Sequence, residues 1–152
     1  MRFLDTSLLV EPLNDGIHWA VRSPFSYAVG SPTGSTVICV PVGFITDFAS
    51  TPRFLWSIVP PTGRYSKAVL LHDYLYATGR IGELIIDRAY ADGVLAEACR
   101  VLAANEMLTY GATHTELSDY LDRAILYRGV RFGGWVSWNK YRHQQALQEG
   151  TP

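Results

Sequence analysis

A chain of 152 residues, 48% apolar and 18% charged, is long enough to bury one core and too apolar to be disordered over most of its length. Its formal net charge of -1 excludes a broad basic surface of the kind that neutralises phosphates, so no nucleic-acid partner is expected. No run reaches the roughly 18 apolar residues of a membrane span, and the first ten residues carry an acid at Asp5 and no long apolar stretch, so neither a transmembrane segment nor a signal peptide is expected. Cys39 and Cys99 stand far apart in no metal or redox spacing, which predicts two buried apolar thiols in a reducing compartment.

The first forty residues predict β structure. Runs at 17–22, 25–29 and 35–40 are rich in aromatic and β-branched residues. Asn14-Asp15-Gly16, Ser23-Pro24 and the Gly30 to Gly34 loop separate them as turns, so three strands are expected to form one small antiparallel sheet. After Gly43 the apolar spacing becomes helical. Ser50 and Pro52 are a helix start, and Pro60-Pro61 stops that short helix. Thr62-Gly63 opens a second helix running to about Thr78, with Gly79 as its C-terminal cap. This helix is apolar nearly all round, the mark of a buried one, and it carries His72 and Asp73.

Asp87 is placed to cap a third helix extending to about Met107, on which Asp92, Leu95, Cys99 and Leu102 share a stripe. Thr113 and Glu116 form a capping box for a fourth helix, with Leu117, Tyr120, Leu121, Ala124 and Tyr127 as its apolar stripe and Gly133-Gly134 as its end. Arg123, Arg128 and Arg131 are read as its solvated face. The fold class is α+β: a small N-terminal antiparallel sheet packed on a bundle of about three to four helices. Residues 1–138 form a single domain, and 139–152 a polar C-terminal tail.

Burying an imidazole or a carboxylate is costly unless each finds a partner. Two helices joined by a short connection pack antiparallel, which brings His72 and Asp92 to a similar level. Asp92 would then fix the tautomer of His72 and raise its basicity, leaving the other ring nitrogen to bind a metal or to take a proton from water. His72 and Asp92 are therefore the candidate catalytic pair, with Asp47, Ser50, Asp73 and Tyr76 supporting. His72, Asp73 and Asp47 form the candidate set for a divalent metal such as zinc or calcium. The same residues read equally as a brace that locks helices together. A Ser50-His72-Asp92 triad can be written down, but a serine at a helix cap is a poor activated nucleophile. His18, His114 and His143 are read as solvated, and Trp56, Trp135 and Trp138 as core or interface aromatics. Glycine-rich phosphate loops, Gly-x-Ser-x-Gly, His-Glu-x-x-His and Cys-x-x-Cys are absent from the sequence.

The run Val40-Pro41-Val42-Gly43-Phe44-Ile45-Thr46-Asp47-Phe48-Ala49-Ser50-Thr51-Pro52, with Leu71-His72-Asp73-Tyr74-Leu75-Tyr76 and then Ala91-Asp92, resembles the phage and prophage family catalogued as domain of unknown function 1353. The resemblance covers about Asp15 to Trp135. It implies a bacteriophage protein, encoded among tail or lysis functions, made in the host cytoplasm and associated with the virion. It hands over no reaction. The positions matching the family pattern are Thr46, Asp47, Ser50, Pro52, His72, Asp73, Tyr76 and Asp92. The His-Asp-x-x-Tyr segment also looks like the active helix of secreted phospholipases A2, where a histidine activates water and the adjacent aspartate holds calcium, although the cysteines and calcium loop of those enzymes are missing.

Two functions follow as expectations. One is a hydrolase, metal-assisted or not, acting on cell-envelope substrates such as peptidoglycan or lipid. The other is a non-catalytic virion component, a tail or baseplate part partnered by other phage structural proteins, with the His/Asp cluster as a brace. Solvent access at His72 discriminates between them.

Overall fold

The computed structural model describes residues 3–4, 7–31, 36–48, 63–110 and 116–149, with the backbone alone for 106–110, 116–119, 122 and 149. Among these residues, short antiparallel strands and three helices make an α+β arrangement. Strand β1 is Val10–Pro12, β2 Trp19–Val21, β3 Phe25–Ala28, β4 Val37–Val40 and β5 Ile45–Thr46. Helix α1 (Ser66–Thr78) leads through a tight hairpin of β6 (Arg80–Ile81) and β7 (Leu84–Ile85) into α2 (Arg88–Tyr110), and α3 spans Glu116–Glu149.

The strands form where expected but do not pair as expected. Residues 17–22 and 25–29 fall in two different sheets, one ordered β1-β2-β5 and the other a β3-β4 hairpin. The turn at Ser23-Pro24 redirects the chain from one sheet to the other instead of closing a hairpin. The long loop after Gly30 does join the hairpin, with Phe25 opposite Val40 and Ala28 opposite Val37. Alternation sends Phe25, Tyr27, Ile38 and Val40 inward, each at most 1% exposed, against Phe3 and the helices.

Helix α1 is the centre of the domain and touches α2, α3, β4, β5 and β6. That surrounding explains its sequence: Ala68 to Asp73, Leu75 and Tyr76 are all buried, so no polar face is left over. Gly79 ends it as expected, in a left-handed conformation (φ 62°) with its N–H donating to the Leu75 carbonyl at 2.8 Å. Asp87 caps α2, its carboxylate accepting the Tyr90 N–H at 2.7 Å.

The largest departure is in α3. It does not end at Gly133-Gly134 but runs unbroken to Glu149, so residues 139–149 of the expected tail are helix. Nor is that helix loose. Arg142 donates through Nη2 to the carbonyls of Tyr76 (2.7 Å) and Ala77 (3.1 Å), and Gln145 through Nε2 to those of Ala77 (2.8 Å) and Thr78 (3.1 Å). The last turn of α1 contains no basic residue. Its carbonyls, which have no partner within their own helix, are served from α3 instead. The short helix expected between Ser50 and Pro60, and Thr113 of the capping box, lie outside the described residues. Of the two cysteines, Cys99 is buried as expected and its thiol pushed up to about 12 by burial, but Cys39 is exposed because it takes an outward position on β4.

Candidate functional site

Asp92 is the hub. It lies one turn inside α2, fully buried, and donors from all three helices converge on it. Helical spacing places His72 and Tyr76, four residues apart on α1, one above the other on the side facing α2. His72 donates through Nε2 to Asp92 Oδ1 at 2.9 Å, and the Tyr76 hydroxyl donates to the same oxygen at 2.6 Å. Arg131 of α3 donates through Nη1 to Oδ2 at 2.8 Å, and Arg88, one turn before Asp92 on α2, stands 3.6 Å from that oxygen. Arg88 also ties α2 to α3 directly, donating to the Arg131 carbonyl at 3.0 Å. The His72 and Tyr76 rings lie 4.0 Å apart, and Trp138 of α3 meets Tyr76 edge-on at 5.2 Å.

The electrostatics follow from burial. His72 is 0% exposed, and desolvation holds its pKa below the ordinary 6.5 even though Asp92 pulls the other way. It is a neutral imidazole, and the acceptor at Asp92 puts its proton on Nε2. Burial alone would raise the Asp92 carboxyl, but the hydrogen bonds from His72, Tyr76 and Arg131 outweigh it and keep the group below its ordinary 3.8. Burial, then the bond to Asp92, pushes the Tyr76 phenol up. The Arg131 guanidinium is raised chiefly by its hydrogen bond to Asp92.

These shifts set a pH dependence. Once unfolded, His72 takes up a proton below about pH 6.5, whereas folded it resists until a lower pH; stability therefore falls as pH drops below that value. Asp92 acts in the same direction and lower down, its contribution being present above 3.8 and lost as pH falls through its depressed pKa. Melting temperatures taken from about pH 8 to about pH 2 should decline in two stages, the upper at no more than about 1.4 kcal/mol per pH unit and the lower setting in only below 3.8. His72→Gln should flatten the upper stage relative to wild type; parallel curves for the two proteins would contradict a neutral His72.

The other expected members do not join this cluster. Asp73 follows His72 in sequence, so its side chain leaves α1 about a quarter-turn away. There it accepts the Thr46 hydroxyl at 2.5 Å, while Thr46 Oγ1 also receives the Phe48 N–H at 3.0 Å. Phe48 is held buried at a left-handed φ of 52°, a conformation uncommon for a bulky side chain. Asp47 is exposed. Asp47 and Asp73 both act on Tyr141 of α3, whose phenol is raised first by burial and then by these two carboxylates. The expected single constellation is thus two: His72, Tyr76 and Asp92 with the arginines, and Thr46 with Asp73 and the nearby Asp47. The proposed metal set of His72, Asp73 and Asp47 does not converge, and among the described residues no three His, Cys, Asp or Glu side chains gather as a cation site requires. Ser50 and Trp56 lie outside the described residues.

The two arginines are the members that the expected site lacks. Arg131, expected on a solvated face, holds Asp92; Arg88 carries a local signal, standing four residues before Asp92 on the same helix face. His18 is exposed as expected but is paired with Asp15 at 2.6 Å. Backbone N–H groups of His18 and Ile17 hold the Asp15 carboxyl down to about 2. Trp135 is 55% exposed, whereas Trp138 packs on Tyr76 beneath the Arg142 guanidinium.

Gly134 of α3 is what lets Tyr76 reach Asp92. A Cβ there would stand 2.4 Å from the Tyr76 hydroxyl oxygen. Alanine favours a helix over glycine by about 1 kcal/mol, yet Gly134→Ala should destabilise by a net of about 1–2 kcal/mol, because the phenol must give up its buried bond. Gly93, on the exposed side of α2 with nothing within 4 Å of its would-be Cβ, is the control. Gly93→Ala should stabilise by about 0.5–1 kcal/mol. Urea unfolding of the two variants should therefore move the midpoint in opposite directions.

No curated protein and no solved structure matches the chain. A family model described as "Protein of unknown function (DUF1353)" matches residues 19–110, more than half of the chain. The match takes in β2 to α2, including His72, Tyr76, Arg88 and Asp92, and stops short of α3 and Arg131. The chain therefore belongs to the DUF1353 family, whose resemblance was already carried by the Thr46-Asp47 and His72-Asp73 segments.

Proposed function

We propose that the protein is a non-catalytic component of a bacteriophage particle, a tail or baseplate part, in which the His72–Asp92 network locks three helices into one rigid body. The observation that carries this reading is burial. His72 and Asp92 are each 0% exposed, and both Asp92 oxygens are taken up by donors from α1 and α3, with Arg88 of α2 alongside. A general base must come within hydrogen-bond reach of its substrate, directly or through one water, and a sealed imidazole offers no such approach. The particle setting comes from the phage and prophage context that the family resemblance implies. The outer face of α3 supports an assembly role: Phe132 is 81% exposed, with Trp135 and Val136 beside it, a patch suited to burial against a neighbouring subunit of the particle. Among the described residues no helix is long and apolar enough to cross a membrane.

The hydrolase reading, with peptidoglycan or a lipid ester as substrate, retains one observation in its favour. Arg131 is about a third exposed, so its departure from Asp92 would open the network to solvent. His72→Ala separates the two. On the brace reading the variant melts earlier, by the equivalent of about 1–3 kcal/mol for a buried partner left unsatisfied. Wild type then hydrolyses neither substrate with zinc, calcium, magnesium or manganese, and particles fail to assemble without the protein. Hydrolysis by wild type that falls about 100-fold or more in a folded His72→Ala protein would overturn the brace reading.

A further inference from the structure

Helix α3 carries a second seam besides the one that packs on α1 and α2. Leu126 and Val130 are buried on its core side. On the opposite side Leu121, Ile125, Arg128, Phe132, Trp135 and Asn139 follow one another at alternating steps of four and three, the spacing at which one helix lies along another. Each of these except the half-buried Ile125 is exposed. Aromatic side chains offer about 150–250 Å² each, so Phe132 and Trp135 by themselves leave about 300 Å² open to water. Leu121, Val136, Tyr120 and the stem of Arg128 bring the face close to the roughly 800 Å² that each partner of a stable interface buries. The largest patch on a typical monomer is smaller, about 300–600 Å². The helix beneath is held in place, Arg131 by Asp92 and Arg142 and Gln145 by the end of α1, so little ordering opposes association.

We propose that this face pairs with the same face of a second copy of the chain, the two α3 helices running antiparallel about a two-fold axis midway between Arg128 and Phe132. This rests on the reading of the face as an assembly surface and names its neighbour. The residues favour a second copy in this orientation. A parallel pair would set Arg128 against Arg128, whereas the antiparallel register sets Arg128 of each copy over the Phe132 ring of the other, two cation–π contacts by symmetry. The same register brings Trp135 against Ile125 and Leu121 against Asn139, so large side chains meet smaller ones. Charge along the helix agrees: the acids of its first two turns, Glu116, Asp119 and Asp122, come to the level of Lys140 and His143 of the other copy.

Sedimentation equilibrium of the full chain tests this. Wild type should pass from monomer to dimer as concentration rises, with a dissociation constant in the micromolar range or below, and its melting temperature should rise with concentration. Phe132→Arg puts a cation opposite Arg128 of the other copy and should weaken the dimer about 30-fold or more. Its fold should be untouched, because Phe132 is 81% exposed: where wild type is monomeric, the two proteins should melt together. Adding Arg128→Glu should restore pairing, since an acid at 128 then faces a base at 132 across the axis. Orientation is read by spin labels on Asn139→Cys in a Cys39→Ser background, Cys99 being buried. Antiparallel helices hold the two labels about 30 Å apart, from a rise of about 1.5 Å per residue and an axial spacing of about 8–10 Å, and parallel helices about 10 Å apart. A wild type that stays monomeric at its highest soluble concentration, a dimer indifferent to Phe132→Arg, or labels about 10 Å apart would each overturn the proposal. The assembly role is judged separately, by whether particles form with Phe132→Arg. A monomeric chain that needs Phe132 for assembly keeps that role and loses self-pairing; a dimer whose Phe132→Arg variant still assembles does the reverse.

Discussion

Asp92→Ala is expected to cost about 3–5 kcal/mol, the range for removing one partner of a buried, hydrogen-bonded charge group. Three losses combine. His72 and Tyr76 each lose a buried acceptor, worth about 1–3 kcal/mol apiece when unreplaced. Arg131 and Arg88 lose their counter-charge, but both retain some exposure and can be rehydrated, which keeps their share small. For a chain of this length the melting temperature should fall by roughly 10 °C. Asp92→Asn keeps the shape and one acceptor but turns an amide N–H₂ group towards a cation, so it should sit between wild type and alanine. A double-mutant cycle with Arg131→Ala should be strongly non-additive, since both changes break the same bond at 2.8 Å. A melting temperature for Asp92→Ala within about 2 °C of wild type would show that the network does not hold the helices together.

Tyr27→Ala should cost a similar amount, about 3–5 kcal/mol, for a different reason. Tyr27 of β3 is 0% exposed, its ring 4.7 Å from that of Phe3, and its hydroxyl donates to Glu97 of α2 at 2.9 Å. Glu97 also accepts the Gly30 N–H at 2.9 Å, at the start of the hairpin loop. One residue therefore packs the β3-β4 hairpin and ties it to α2. Truncation opens a cavity the size of a ring, which the strands are too short to collapse into. Tyr27→Phe keeps the ring and should cost only about 1 kcal/mol, the net worth of one hydrogen bond. Guanidinium unfolding of the two variants measures the split, and near-equal losses would mean that the Glu97 bond, not the packing, attaches the sheet.

Much of the helical part was legible because its rules are local. A cap at Asp87, a left-handed stop at Gly79 and an apolar surface all round 66–78 involve residues within a turn or two of each other, and the structure has each in place. The His72–Asp92 pair was legible for a related reason. A short connection forces two helices antiparallel, and a buried imidazole and carboxylate at one level must find each other. Arg88 could have been added by the same four-residue rule.

Spacing along the chain determined the elements; long-range packing decided which of them meet. Residues 17–22 and 25–29 have the same alternation whether they pair with each other or not, and β2 instead took β5 as its neighbour. Asp73 looked equivalent to His72 in sequence, yet a turn of 100° sent it to Thr46. Gly133-Gly134 reads locally as a helix end, at a propensity cost of about 1 kcal/mol per glycine. Tertiary structure overrides that cost. The missing Cβ of Gly134 gives Tyr76 its seat, and Arg142 and Gln145 beyond it bind the α1 carbonyls, contacts available only if the helix continues. Arg131 reached Asp92 for the same reason: no short-range rule links positions 92 and 131, and only the packing of α3 across α2 sets them 2.8 Å apart.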